Sequence, residues 1–107
     1  MGEYLRKEAW ATHLKELACG DSVTALQARD AIFFTFCQIH GDTVLAQSIM
    51  KKSWRDSGLD WDRPSASELR ELSRRFVEIL RSSGKEEEAE IAGLYFSRVL
   101  CKVGPDG

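Results

Sequence analysis

Residues 21–41 read DSVTALQARDAIFFTFCQIHG, and this stretch decides the fold. Leu26, Ala28, Ala31, Ile32, Phe33, Phe34, Phe36, Cys37 and Ile39 are apolar. After Asp30 they run nearly all the way round a helix of 3.6 residues per turn. Read alone, Ala31–Cys37 would also suit a buried strand. The helical flanks and the boundary signals decide for a helix from about Val23 to His40, with Asp21 placed to cap its start and Gly41 to stop it. A helix apolar on every side must be surrounded, so this second helix is expected at the centre of a bundle.

Working outward, Gly20, Gly41, Gly58, Gly84 and Gly104 punctuate the chain. A glycine just past a helix adopts the left-handed conformation at little cost, which makes it a stop signal. The first helix is expected over about Glu3–Cys19, with Trp10, His13, Leu14 and Leu17 on one face and Tyr4 and Leu5 as a terminal patch. The third, from about Thr43 to Asp56 after the cap Asp42, turns Leu45, Ala46, Ile49, Met50 and Trp54 inward. The fourth opens with the capping box Ser65-Ala-Ser-Glu68 and lines Leu69, Leu72, Phe76, Ile79 and Leu80 on one side. The fifth opens with Lys85-Glu-Glu-Glu88, acidic side chains at the positive end of the helix dipole, and carries Ala89, Ala92, Gly93, Phe96, Val99, Leu100 and Val103. Ala89, Gly93 and Ser97 recur every four residues as a small-residue strip that another helix could approach closely. The reading is an all-α fold: one domain over 1–107, a compact bundle of about five helices. The second helix is central, the fourth and fifth form an antiparallel hairpin, and 104–107 is a tail.

The composition narrows the function classes. The chain has 107 residues, 43% apolar and 30% charged, with a net charge of −2. That length buries a core without metal or disulfides. Residues 1–50 hold four basic and six acidic side chains, 51–81 eight and six, and 82–107 three and five. The middle is mildly basic, too weakly to announce a polyanion partner. The odd cysteine count (Cys19, Cys37, Cys101) suits free thiols and a cytoplasmic protein. The longest apolar run, Ala31–Phe34, is far short of a membrane span.

Chemistry-bearing patterns are weak. Cys37 and His40 lie three apart on one helix, but a structural zinc site asks for a second paired cluster. His13 sits in Trp-Ala-Thr-His-Leu-Lys-Glu-Leu, where Glu16 would repel a phosphoryl group; a half-buried structural histidine is expected. Asp56, Asp60 and Asp62 lack the calcium-loop spacing, with Trp61 at the glycine position and Ser67 at the closing one. No glycine-bracketed nucleophile or phosphate-binding loop occurs. The expectation is therefore no catalytic residue, no metal and no cofactor.

What remains is the connector Ser57–Ser65, the longest break in the helical pattern, with Leu59 and Trp61 expected to pin it. Trp54 and Trp61 lie close in sequence to Lys51, Lys52 and Arg55. Tryptophan and arginine are enriched where binding energy concentrates. Lys51, Lys52, Trp54, Arg55 and Trp61 are thus the candidate partner-binding residues of a non-catalytic protein–protein interaction module: an adaptor, a small subunit or a homo-oligomer. The alternative is a small nucleic-acid-binding subunit using residues 51–81, where Arg63, Arg70, Arg74 and Arg81 extend the basic stripe and the tryptophans could stack on bases.

Overall fold

The computed structural model describes residues 2–58 and 60–103, with backbone alone for residues 2–8 and Ser57. Five helices follow in order: α1 Gly2–Cys19, α2 Ala25–His40, α3 Thr43–Ser57, α4 Ala66–Ser82 and α5 Glu86–Cys101. No strand occurs among the described residues. An isolated parallel bridge joins Val23 to Val103.

Three helix starts are closed by their own side chains. Asp42 Oδ1 accepts from the Leu45 N–H at 3.1 Å. Ser65 Oγ accepts from the Glu68 N–H at 3.2 Å while Glu68 Oε1 accepts from the Ser65 N–H at 3.0 Å. Asp21 does not cap α2. Thr24 does, exchanging the same pair of bonds with Gln27 at 3.1 and 2.9 Å. The reason is tertiary: the Val23 N–H donates to the Lys102 carbonyl at 3.2 Å. That bond holds residue 23 in a bridge to the end of α5 and delays the helix to Ala25. Gly41, Gly58 and Gly84 take positive φ and stop α2, α3 and α4; Gly20 ends α1 without a left-handed turn.

α2 touches every other helix, α5 lies between α4 and α1, and α3 leans on α4; α1 and α3 do not meet among the described residues. The molecule is only 19 Å thick between Cα extremes, the depth of two helix layers packed about 8–10 Å apart. α1, α2 and α3 form one layer with α2 in the middle, and the α4–α5 hairpin forms the other. Phe36, Phe76, Phe96, Leu14, Ile32, Met50, Leu69, Leu72 and Leu80 are buried between them. Phe36 stacks on Phe76 at 4.3 Å between ring centroids.

This layering corrects three sequence expectations. The inner side of α2 is buried through Ala28, Ile32, Thr35, Phe36 and Ile39, but Phe33 and Cys37 are only partly buried and Phe34 is 41% exposed. The middle helix of a layer has one side with no neighbour above it. His13 is exposed, with its ring edge-on to Phe34 at 6.0 Å. Leu45 is 49% exposed, because α3 packs only on α2 and α4. The side chains of the Tyr4–Leu5 patch, the Gly104 stop and the 104–107 tail lie outside what the structure describes.

The small-residue strip sits along the hairpin seam. Ala89 is buried, Gly93 half-buried and Ser97 exposed. A Cβ built on Gly93 would meet Val77 Cγ2 at 3.5 Å, an ordinary contact. The close approach therefore tolerates a methyl group, and helix propensity decides the outcome. Gly93→Ala is expected to stabilise the fold by about 1 kcal/mol, read as a higher denaturant midpoint at unchanged m-value; a lower midpoint would show the seam to be tighter than this spacing.

Candidate functional site

The connector between α3 and α4 is held at three points. At its start, Gly58 at φ 71° closes α3, its N–H donating to the carbonyls of Arg55 and Trp54. In its middle, Asp60 Oδ1 accepts the N–H groups of Asp62 at 3.1 Å and Arg63 at 3.3 Å, an aspartate-built turn. At its end, Pro64 is buried and Ser65 caps α4. Glu68 ties both ends together: beyond its bond to Ser65, Oε2 accepts the Asp60 N–H at 3.3 Å. These bonds, the one from Ser65 foremost, favour the carboxylate and hold Glu68 below its ordinary pKa.

Trp61 is the hub. Its ring stacks on Trp54 with centroids 4.0 Å apart and planes 28° apart. Phe33 of α2 meets it edge-on at 5.6 Å. The Arg29 guanidinium lies 4.7 Å from the ring centroid, and one of its nitrogens donates to the Trp61 carbonyl at 2.6 Å. Asp30 fixes that guanidinium from the other side at 2.8 Å. The structure thus brings Trp54 and Trp61 into one half-buried stack whose contacts are largely to the chain itself. Leu59, the other expected pin, lies outside the described residues.

Lys51, Lys52 and Arg55 stand exposed beside this stack on the outer side of α3 and form no ion pair among the described residues. The basic stripe does not continue evenly into α4. Arg74 is bonded to both Glu71 and Glu78, and Arg75 to Glu71. Arg29 and Phe33 complete the aromatic cluster; the sequence marks Phe33 only as a core residue of the second helix, and neither as a partner of Trp61. They lie about 30 residues upstream, and nothing local marks an arginine in the first half of a helix as a tryptophan's partner.

The Glu71 carboxylate, hydrogen-bonded first to Arg74 and then to Arg75, is lowered from 4.5 to about 2. A depressed carboxylate stabilises the fold above its unfolded pKa and loses that contribution as pH falls through the folded one. Glu71→Gln should therefore lower stability by a constant small amount above about pH 5, with the gap to wild type closing between about pH 4.5 and 2. Denaturant titrations across pH test this; a gap that persists unchanged at the acid end would show that the loss is not electrostatic.

The Cys37–His40 pair lines a cleft of about 510 Å³ at one end of the bundle, with Trp10, Gln38, Lys85 and Glu88. Burial pushes the Cys37 thiol up, away from the thiolate that metals and electrophiles need. His40 Nδ1 is buried without a hydrogen-bond partner among the described residues. No group of three metal-ligating side chains converges there or elsewhere among those residues.

Comparison with protein-family models, with curated proteins and with solved structures finds no match to this chain.

Proposed function

We propose that this chain is a non-catalytic protein–protein interaction module whose contact surface is the outer side of α3 with the connector. The observation that supports this reading is the half-buried Trp54–Trp61 stack, braced by Phe33 and Arg29 and bordered by the exposed cations Lys51, Lys52 and Arg55. A rigid aromatic surface loses little conformational entropy on binding, and a rim of cations sets orientation. Phe34 and Leu26, 41% and 45% exposed on the neighbouring α2, extend the apolar ground in the same layer.

The nucleic-acid reading uses the same cations. It is the less favoured one, because Arg74 and Arg75 are already engaged with carboxylates and the Trp61 ring already carries Trp54 and Arg29.

Capture from native lysate, with and without nuclease, tests the proposal. The immobilised chain should retain a protein partner after nuclease treatment. The triple variant Lys51→Glu, Lys52→Glu, Arg55→Glu, which alters exposed groups only, should retain markedly less of it. Capture abolished by nuclease and falling steeply with salt would instead mark phosphate recognition, and capture indifferent to the triple variant would remove this surface from consideration.

A further inference from the structure

Two features read separately in the sequence, the arginines of α4 and the small-residue strip of α5, meet in one groove of about 610 Å³ on the outer face of the hairpin. On α4, Arg70, Arg74, Val77 and Arg81 follow one another at i, i+4, i+7 and i+11. On α5, Glu90, Leu94, Ser97 and Cys101 do the same. Both lines therefore run straight along their helices. All of these residues are exposed except Val77, which is half-buried. Leu94, an apolar side chain in the middle of the face, is 54% exposed. Gly93 and Ser97 beside it keep the α5 side low enough for another helix to come close.

The charge on this face is ordered along its length. The hairpin turns at Ser83–Lys85, so Arg81 and the exposed Glu86, Glu87 and Glu90 share the turn end, while Arg70 and the last turn of α5 share the open end. Arg74 is neutralised by Glu71 and Glu78. Arg70 and Arg81, one at each end, make no ion pair among the described residues.

We propose that this face binds a second copy of the chain, across a twofold axis running along the helices. That operation lays α4 of each copy over α5 of the other with the turn ends together. Arg81 then faces Glu90 of the partner subunit, and Arg70 falls over the negative end of the partner's α5 dipole. Leu94 and the Gly93–Ser97 strip close against the partner's α4. A twofold axis across the helices would instead stack α4 on α4 and set Arg70 against Arg81, like charge on like. The surface belongs to the hairpin layer and the connector surface to the other, so self-association and partner capture succeed or fail independently.

Sedimentation equilibrium on the full chain tests this, with circular dichroism to verify that each variant is folded. Wild type should approach twice its 12.1 kDa mass as concentration rises. Leu94→Glu and Arg81→Glu, both at exposed positions, should each weaken association by about tenfold or more. The charge-swapped double variant Arg81→Glu with Glu90→Arg should recover most of what Arg81→Glu loses. A wild-type chain that keeps the monomer mass up to about 1 mM, a dimer indifferent to both single variants, or a double variant no tighter than Arg81→Glu would each overturn the proposal.

Discussion

Phe36→Ala is expected to unfold this protein or bring it to the edge of unfolding. The ring is fully buried on the inner side of α2, stacked 4.3 Å from Phe76 of α4 and 5.6 Å from the His40 ring. α2 contacts every other helix, so the void opens where both layers meet and no single helix can move to fill it. Large-to-small changes of this kind cost about 3–5 kcal/mol, the transfer of the ring plus the cavity it leaves. A small domain has about 5–15 kcal/mol in total. Urea titration followed by circular dichroism gives the answer directly. A variant with the wild-type midpoint and slope would mean that Phe36 does not bridge the layers.

The second large effect is expected at Trp61. Trp61→Ala removes the stack on Trp54, the edge contact with Phe33 and the ring under Arg29 in one step. Full burial would put the loss at about 3–5 kcal/mol; with Trp61 only partly buried, about 2 kcal/mol is expected. The loss should be local as well as global. Without the ring, the connector keeps the Asp60 turn and the Glu68 bridge but loses the anchor that Trp61 has on Phe33 of α2. Amide exchange at Asp62 and Arg63 should therefore quicken more than exchange in the middle of α4. Uniform acceleration at both places would show that the connector opens only with the whole domain. Trp61→Phe, which keeps an apolar ring, should recover part of the stability and most of the protection.

How much was legible in the sequence differs from element to element. The boundaries of α3 and α4 and the end of α2 follow from short-range chemistry: Asp42 and Ser65 bond to N–H groups three residues on, and Gly41, Gly58 and Gly84 accept a conformation that other residues resist. Asp21 carries the same signal and was overruled, whereas Gly20 ends α1 without the left-handed turn. The Val23–Lys102 bond, closing across 79 positions, holds the start of α2 extended. Such a contact leaves no trace within a window of a few residues.

The candidate site divides in the same way. That the connector is long, that Trp61 pins it and that Lys51, Lys52 and Arg55 face solvent could be read from spacing, since helical periodicity sorts inner from outer positions. That Arg29 braces Trp61, and that the tryptophans spend their faces on each other, could not.

The sequence by itself determined the helices and most of the residues at their core, because propensity, capping and periodicity act over one or two turns. Only the tertiary structure decided that these helices stack three over two. That arrangement leaves Phe34 uncovered on a helix whose composition called for burial all round, and it brings the arginines of α4 and the glycine–serine strip of α5 into one groove. Which faces meet depends on the shapes of whole helices packing against each other. Residues far apart in the chain set those shapes together.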